Sequence, residues 1–466
     1  MAALSIVTVK FVAIGLSKEL AGQYNTAYGF LQIFGILADF GLYAVAVREV
    51  SKVQGEERER VFGTLLTLRS IILALSLSVA LIFAWIVPSW RGTPLPVGIT
   101  IAALVPFFTL LAGMIRTIFQ VSYHMRYVFV AEVSQRILTV LLTAVIIVMG
   151  VRESTDPHIY YLFLLFGGIG ALLLFCSSYF FGKKFLPIRP HWDKALLKKS
   201  FAQAAPYGLA FLCTALYRQS DVTMIGMLRQ DFAIQNAYYG FVQRAMDMAY
   251  LFPTFLLNST LPILSERSEK GEDTREMLGK TLHIILLLGV TLFLFSFLWS
   301  RPLMQLLTTE KYLSTAAHAG SDTALQLLAF SMFFNGIILF CFYCLLTKHD
   351  WEPLVCALAF GAIVSITSNL IQIPVDGFIG AAHTSILTHV VLAMILVPIT
   401  RRSMPFSYPW KFVRQWIAYA FLLWLGLILA TPYLTSSLHT AVALALAGVY
   451  IGGIAWGTRI YGSLRR

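Results

Sequence analysis

Fourteen runs of about twenty apolar residues follow one another along this 466-residue chain, and they leave little freedom in what it can fold into. They read as 2–17, 22–47, 62–88, 97–121, 128–150, 158–182, 203–228, 232–262, 279–299, 323–346, 353–373, 377–399, 413–432 and 438–459. Most are long enough to cross a hydrocarbon core of roughly 30 Å. In lipid the backbone polar groups of such a run must be satisfied within the segment, which makes each one a helix. The expected fold is an all-α polytopic membrane protein of about 14 transmembrane helices. Composition agrees, since 58% hydrophobic and 12% charged residues are too few polar groups to coat a soluble domain of this size. The first run carries Lys10 in its middle and has neither a basic leader nor a convincing cleavage site, so it reads as a first span.

The net charge of +12 would suggest nucleic acid in a soluble protein, but here it follows the spans. With the N-terminus taken as cytoplasmic, 23 of the 35 Lys and Arg fall in the loops and tail of that side. Among them are Arg58, Lys183, Arg402, Arg459, Arg465 and Arg466, against 6 on the opposite side. That bias orients a membrane protein with both termini in the cytoplasm, in the plasma or inner membrane, and leaves no nucleic-acid face. The longest connections, 183–202 and 263–278, are basic or of mixed charge and too short for an extramembrane catalytic domain. All five cysteines lie inside apolar runs, so the CxxC of Cys341 and Cys344 reads as packing. His383 and His389 are six residues apart on different helix faces, which excludes a simple metal pair, and no cofactor is expected.

The chain repeats itself at a shift of 211 residues. AIGLSKELAGQYNTAYGFLQ (13–32) aligns without a gap on MIGMLRQDFAIQNAYYGFVQ (224–243), with seven identities that include Asn25 on Asn236 and Gln32 on Gln243. Spans 1–2 therefore match spans 7–8. A six-helix repeat keeps its orientation in the membrane, which implies two lobes related by a pseudo-twofold axis along the membrane normal. The expected organisation is an N-lobe (1–190), a C-lobe (191–400) and a C-terminal helix pair (401–466). The same shift would start the first helix near position −8, so its first turns are expected upstream of Met1.

Four segments then resemble one family. They are GFLQIFGILADFGLYAVAVREVSK (29–52), RTIFQVSYHMRYVFVAEVSQRILTVLL (116–142), LLTKHDWEPLV (345–355) and NLIQIPVDGFIGAAHTSILTHV (369–390). In order and spacing they resemble the polysaccharide-biosynthesis, Wzx-like oligosaccharide flippases, within the superfamily that also holds multidrug extruders and lipid II flippases. The resemblance covers about residues 10–400. It implies a monomeric two-lobed carrier that flips a polyprenyl-pyrophosphate-linked oligosaccharide to the outer leaflet by alternating access. Partners would be membrane lipid and the glycosyltransferases or polymerase of the same pathway.

Charged residues inside the spans are the candidate site, because each costs at least about 2.5–3.5 kcal/mol to insert. The cations are Lys10, Arg69, Arg116, Arg136, Arg218 and Arg244; the acids are Asp39, Glu132, Asp221 and Asp247. A basic excess suits a pyrophosphate, whose oxygens a guanidinium fork satisfies. Arg69, Arg116 and Arg136 lie near cytoplasmic ends, where snorkelling to the interface is open to them. Glu132 and Arg136, at i and i+4, could neutralise each other, as could Arg218 with Asp221 and Arg244 with Asp247. The repeat also sets Lys10 on Asp221, a second arrangement for that pair. On span 2, Tyr28, Gln32 and Asp39 share one face within about 40°, as do Tyr239, Gln243 and Tyr250 on span 8. These stripes either line a cavity or join helix to helix. The competing functions are a cation-coupled drug antiporter, which favours an acidic pocket, and a membrane-embedded glycan polymerase or ligase, which needs a catalytic cluster or a large outer loop.

Overall fold

The computed structural model describes residues 2–348, 350–458 and 460. Arg459, Arg465 and Arg466, counted above for orientation, lie outside the described residues. The described residues form helices joined by short loops, with a single isolated β-bridge between Leu16 and Ser154.

The fourteen runs become eighteen helices because some are broken. The first two runs are α1 (Ala2–Gly15), then α2 (Lys18–Asp39) with α3 (Leu42–Ser51). The third is α4 (Gly55–Ile86), and the fourth is α5 (Leu95–Ala102) with α6 (Leu104–Val121). Next come α7 (Arg126–Val148), α8 (Pro157–Gly182) and α9 (Lys194–Leu228). The eighth run is α10 (Phe232–Ala249) with α11 (Leu251–Glu269); the ninth is α12 (Arg275–Leu298), followed by a short α13 (Ser300–Leu307). The last five are α14 (Ser321–Lys348), α15 (Trp351–Asp376), α16 (Phe378–Ser403), α17 (Trp410–Ala430) and α18 (Ser437–Gly457).

Twelve of these segments are long and apolar enough to span a membrane, and the chain is a multi-pass membrane protein. The two runs outside that dozen are α1, with 14 residues, and α9, whose 35 residues carry Lys194, Lys198, Lys199, Arg218 and Asp221.

The breaks have local causes. Pro106 has no N–H to give the carbonyl of Ala102, and the fourth run parts at Ala103. Between α2 and α3, Phe40 (φ +42°) and Gly41 (φ +69°) are both left-handed. Glycine takes that conformation freely, while a bulky residue there costs about 1–2 kcal/mol. Packing holds Phe40 in place: its ring stacks on Phe201 at 5.3 Å and covers Gly208, where a Cβ would come within 2.6 Å of it.

The chain forms two compact units, Met1–Gly240 and Phe241–Arg466. In the first, α9 and the start of α10 pack with α1–α8 although the repeat assigns them to the second lobe. The reason is a tight seam on α2. A Cβ on Gly22 would lie 1.6 Å from the carbonyl oxygen of Ala233, so the two backbones touch. One turn on, Asn25 Nδ2 donates to the carbonyl of Asn236 at 3.2 Å. Asn236 Nδ2 in turn donates to Thr26 Oγ1 at 2.9 Å and to the carbonyl of Val222 at 2.8 Å. Trp90, fully buried, donates to the carbonyl of Gly226 at 2.7 Å. Gly22 with Ala233, and Asn25 with Asn236, are each separated by the repeat shift of 211. Equivalent residues meeting face to face is what two helices related by a twofold axis do where they cross. Small residues and side-chain amides make such contacts in lipid, where hydrophobicity alone does not hold helices together.

In the second unit, α12, α14 and α16 form the centre, with α15 packed on α16. The C-terminal helices attach through polar anchors as well as apolar packing. Trp416 Nε1 donates to the carbonyl of Leu286, and Trp299 Nε1 to that of Leu427, each at 3.1 Å. Tyr419 and Thr291 share a hydrogen bond of 2.8 Å. These indole and phenol groups are thus partnered, as a low-dielectric interior favours.

Candidate functional site

The first unit holds a cavity of about 260 Å³ whose lining joins five helices that carry charge or a phenol. Asp39 comes from the last turn of α2, Tyr43 from α3, Arg69 from α4, Arg116 from α6 and Glu132 from α7. Thr109 of α6 and Ser178 of α8 add hydroxyls. The left-handed pair at 40–41 ends α2 just after Asp39 and restarts the helix before Tyr43, so both side chains reach the same space.

Arg69 is the deepest of these groups, 2% exposed. Its Nη2 bonds Asp39 Oδ1 at 2.5 Å. Its Nε and Nη1 are buried and have no acceptor among the described residues. An unsatisfied buried donor costs about 1–3 kcal/mol, more when charged, so this guanidinium is one fork short of its bonds. Gly113 of α6 lies beside it, where a Cβ would make ordinary contact with Nη2 at 3.5 Å. Arg116 lies nearer the mouth, its side chain 44% exposed, and bonds Glu132 Oε1 at 3.3 Å. The same guanidinium lies 6.0 Å from the centroid of the Tyr43 ring, whose hydroxyl bonds Gln120 Oε1. Two guanidiniums and two carboxylates make the pocket neutral, with each cation bonded to one carboxylate.

Two readings of the sequence change here. Arg69 does not snorkel: it is buried and paired across the bundle. Glu132 does not neutralise Arg136 on its own helix; it pairs with Arg116 of α6, and Arg136 reaches Ser5 of α1 instead. Long side chains choose among all neighbouring helices, and spacing along one helix shows only the local choice.

The other candidates stand elsewhere. Lys10 is half-buried on α1, Arg218 on α9, and Arg244 and Asp247 on α10. Asp221 is 2% exposed and accepts the Tyr239 hydroxyl at 2.6 Å, a bond between α9 and α10. The two polar stripes differ. On α2, Gln32 is exposed and Tyr28 half-buried, reaching toward α8 where a Cβ on Gly167 would meet its hydroxyl at 2.4 Å. On α10, Tyr239 and Gln243 are buried, and so is Tyr250 in the turn after it. His389 is buried and bonds the carbonyl of Ser385, while His383 is exposed on another face. Among the described residues no His, Cys, Asp and Glu group has the makings of a metal site.

Sequence reasoning missed Tyr43, Gln120, Thr109 and Ser178. For Tyr43 a signal existed: Gly41 in ADFGLY marks a break that swings the next helix turn toward Asp39. The other three are ordinary polar residues of apolar helices and carry no such mark.

These features define a multi-pass helical membrane protein with a charged, neutralised cavity inside its first unit. The polysaccharide biosynthesis protein family model matches residues 1–266, more than half of the chain, and the chain belongs to that family. The MatE model matches residues 206–371. No curated protein matches the sequence significantly. Among solved structures, the lipid II flippase MurJ in an inward closed conformation is similar over 100% of this chain and 98% of its own, with TM-score 0.71 and 14% identity. An inward-facing multidrug resistance MATE family transporter of the MOP superfamily aligns over 87% of this chain and 94% of its own (TM-score 0.61, 12% identity). A MOP superfamily transporter from Pyrococcus furiosus, described as having a binding pocket of reverse polarity, aligns over 86% and 92% (TM-score 0.53, 14% identity). The chain thus has the MurJ- and MATE-like fold that the repeat and motifs implied.

Proposed function

We propose that this protein carries a polyprenyl-pyrophosphate-linked oligosaccharide from the inner to the outer leaflet by alternating access, and that the cavity of the first unit receives the pyrophosphate. One observation carries the reading: Arg69 is buried at a cavity wall with two guanidinium nitrogens lacking acceptors, and Arg116 stands at the mouth of the same cavity. Phosphate oxygens are the acceptors that a guanidinium fork fits best. With the N- and C-termini cytoplasmic, the pocket opens in the inner half of the bilayer, where a lipid-linked glycan is made. Lobes of 1–190 and 191–400 would rock about the repeat axis, with the helix pair 401–466 attached to the second. Lys10, Arg218 and Arg244, and the faces of Tyr28, Gln32, Tyr239 and Gln243, would serve the substrate along its path. The protein works as a monomer beside the glycosyltransferases or polymerase of its pathway.

The MatE match over residues 206–371 favours a second reading, a cation-coupled exporter of small molecules. Such a carrier needs an acid free to bind a cation, whereas Asp39 and Glu132 are each held by an arginine. Glycan export in cells separates the two. Arg69→Ala should abolish it at normal membrane abundance, and Arg402→Ala, at the exposed end of α16, should not. Export by Arg69→Ala at the wild-type level would remove this pocket from the function.

A further inference from the structure

Charge is distributed unevenly at the end of the first unit where α6 ends, α7 begins and α8 ends. Residues 48–60, which join α3 to α4 at this end, carry four cations and four acids, and Glu49 bonds both Arg48 and Lys52. The neighbouring connections are different. Segments 122–131 and 177–192 contain no Asp or Glu, and Asp193, the next acid, is held by Arg60 at 2.7 Å. Arg126, Lys183, Lys184 and Arg189 are exposed there, and none makes an ion pair among the described residues. The α8–α9 connection that carries three of them is fixed in place, since a Cβ on Gly63 of α4 would lie 2.3 Å from the carbonyl oxygen of Arg189.

Aromatic rings gather these cations. Lys183 and Lys184 bring their ammonium nitrogens to 5.1 and 5.0 Å from the centroid of one ring, that of Phe180. Lys184 also stands 5.8 Å from Phe181, whose ring packs 4.9 Å from Tyr127, and Arg126 lies 5.0 Å from the Tyr127 centroid. An exposed ring attracts a cation only weakly, so two ammonium groups over one ring still repel each other and remain open to an anion. The turn before α7 adds a second observation. His124 N–H donates to the carbonyl of Phe119 at 2.8 Å and Tyr123 N–H to that of Gln120 at 3.3 Å, the pattern that ends a helix on a left-handed residue. Glycine is usual at that position. Here it is Tyr123, with φ +58° and 94% of its surface exposed. A bulky residue in a disfavoured backbone conformation, with its ring outside the protein, gains no packing from its own chain. Tyrosine does find a favourable place at the boundary between hydrocarbon and water.

We propose that Arg126, Lys183 and Lys184, with Tyr123 of the same turn, bind the headgroup phosphate of an anionic phospholipid. The apolar surface that leads to them identifies the occupant. Phe129, Ile137 and Leu141 of α7 and Leu172 and Phe180 of α8 are exposed, and in a bilayer such surface meets acyl chains. Cations at the end of it stand at the depth of the headgroups. A soluble acidic protein would match the charge but leave the apolar surface unused. The site shares no residue with the Arg69 cavity and is independent of what that cavity carries.

The test titrates the full-length protein in detergent with phosphatidylglycerol or phosphatidylcholine of equal chain length, and native mass spectrometry counts the bound lipid. Wild type should bind phosphatidylglycerol at least roughly tenfold more tightly, and Arg126→Gln, Lys183→Gln and Lys184→Gln should each weaken it about fivefold while leaving phosphatidylcholine unchanged. Lys52→Gln, in the balanced connection, should have no effect. Tyr123→Gly relieves the left-handed backbone, so it should melt no lower than wild type and still bind phosphatidylglycerol less tightly, which separates a lost contact from a lost fold. Equal affinity of wild type for the two lipids overturns the proposal, and that measurement needs no variant. So does a preference for phosphatidylglycerol that the three glutamine substitutions together leave intact. Displacement of phosphatidylglycerol by millimolar inorganic phosphate also overturns it, because the site would then take a free anion and not a lipid.

Discussion

Gly22→Ala tests the seam through which the repeat holds the first unit together. The new methyl carbon would sit 1.6 Å from the carbonyl oxygen of Ala233 and 2.9 Å from the amide nitrogen of Ala237. Carbon and carbonyl oxygen in lipid-facing bundles approach to about 3.3 Å, so α2 and α10 must part by roughly 1.7 Å. Both clashing atoms are backbone, and no rotamer relieves them. Overpacking of this kind costs about 1–3 kcal/mol. Parting also stretches the Asn25–Asn236 and Asn236–Thr26 bonds past their range, at about 1 kcal/mol each. Against this stands a gain of at most about 1 kcal/mol from replacing a helical glycine by alanine. The net loss is about 3 kcal/mol, or a fall of roughly 5 °C in melting temperature. The assay is thermal unfolding of the purified protein followed by tryptophan fluorescence, with Trp90 in the seam as one reporter. Gly448→Ala on α18, where a Cβ meets nothing within 4 Å, is the control and should melt at or above wild type. If Gly22→Ala melts level with Gly448→Ala, the seam does not hold the unit and the argument fails.

Three further outcomes are expected. Arg69→Leu leaves Asp39 without its cation and should cost about 2–3 kcal/mol, less than for a fully buried pair because Asp39 is 34% exposed; adding Asp39→Asn should recover part of it, and a double-mutant cycle in thermal melts with purely additive losses would deny the pairing. In a cysteine-free background, cysteines at Gly55 and Gly92 should label from opposite sides, Gly55 from the cytoplasm; both glycines are exposed and a Cβ on either meets nothing within 4 Å. Arg229 bonds Asp231 in the loop before α10 and holds its carboxyl below the usual carboxylate range, so this pair adds stability above the unfolded acid's pKa and loses it as pH falls through the lower, folded value; the drop in melting temperature below about pH 4 should shrink in Asp231→Asn.

Helix number and type were legible because lipid imposes them: a run of apolar residues has one way to satisfy its backbone. Even α9, with five charges, was readable from its apolar run 203–228, and the repeat then matched it to α1. Where helices break was less legible. The 40–41 break has a glycine to announce it, but Phe40 adopts a left-handed conformation only because Phe201 and Gly208 receive its ring. Residues so far along the chain cannot be seen from the local sequence. The members of the site were mostly legible, since any charge within a span stands out. Their pairing was not. Glu132 has Arg136 at i+4 and Arg116 sixteen residues back, and the structure selects the distant one. Asp221 similarly takes its bond from Tyr239, eighteen residues on, a residue whose stripe the sequence left open between a cavity lining and a helix joint.

The repeat itself separates what the backbone needs from what the site needs. Span 2 breaks at Phe40 and Gly41, and span 8 breaks at Tyr250, within two residues of the position that the shift of 211 predicts. A break kept in both halves belongs to the architecture: each second helix must bend there, whatever its side chains do. The residue at the break is not kept. Asp39 sits a third exposed at the cavity with Arg69 on it, whereas Tyr250 is 4% exposed and shows no charge. Had the acid served the bend, its counterpart would need one too. The carboxylate is therefore an addition to a bend that works without it, placed at a cavity where it pairs with Arg69. Asp39 thus answers to Arg69, its ion-pair partner on α4, and not to the bend.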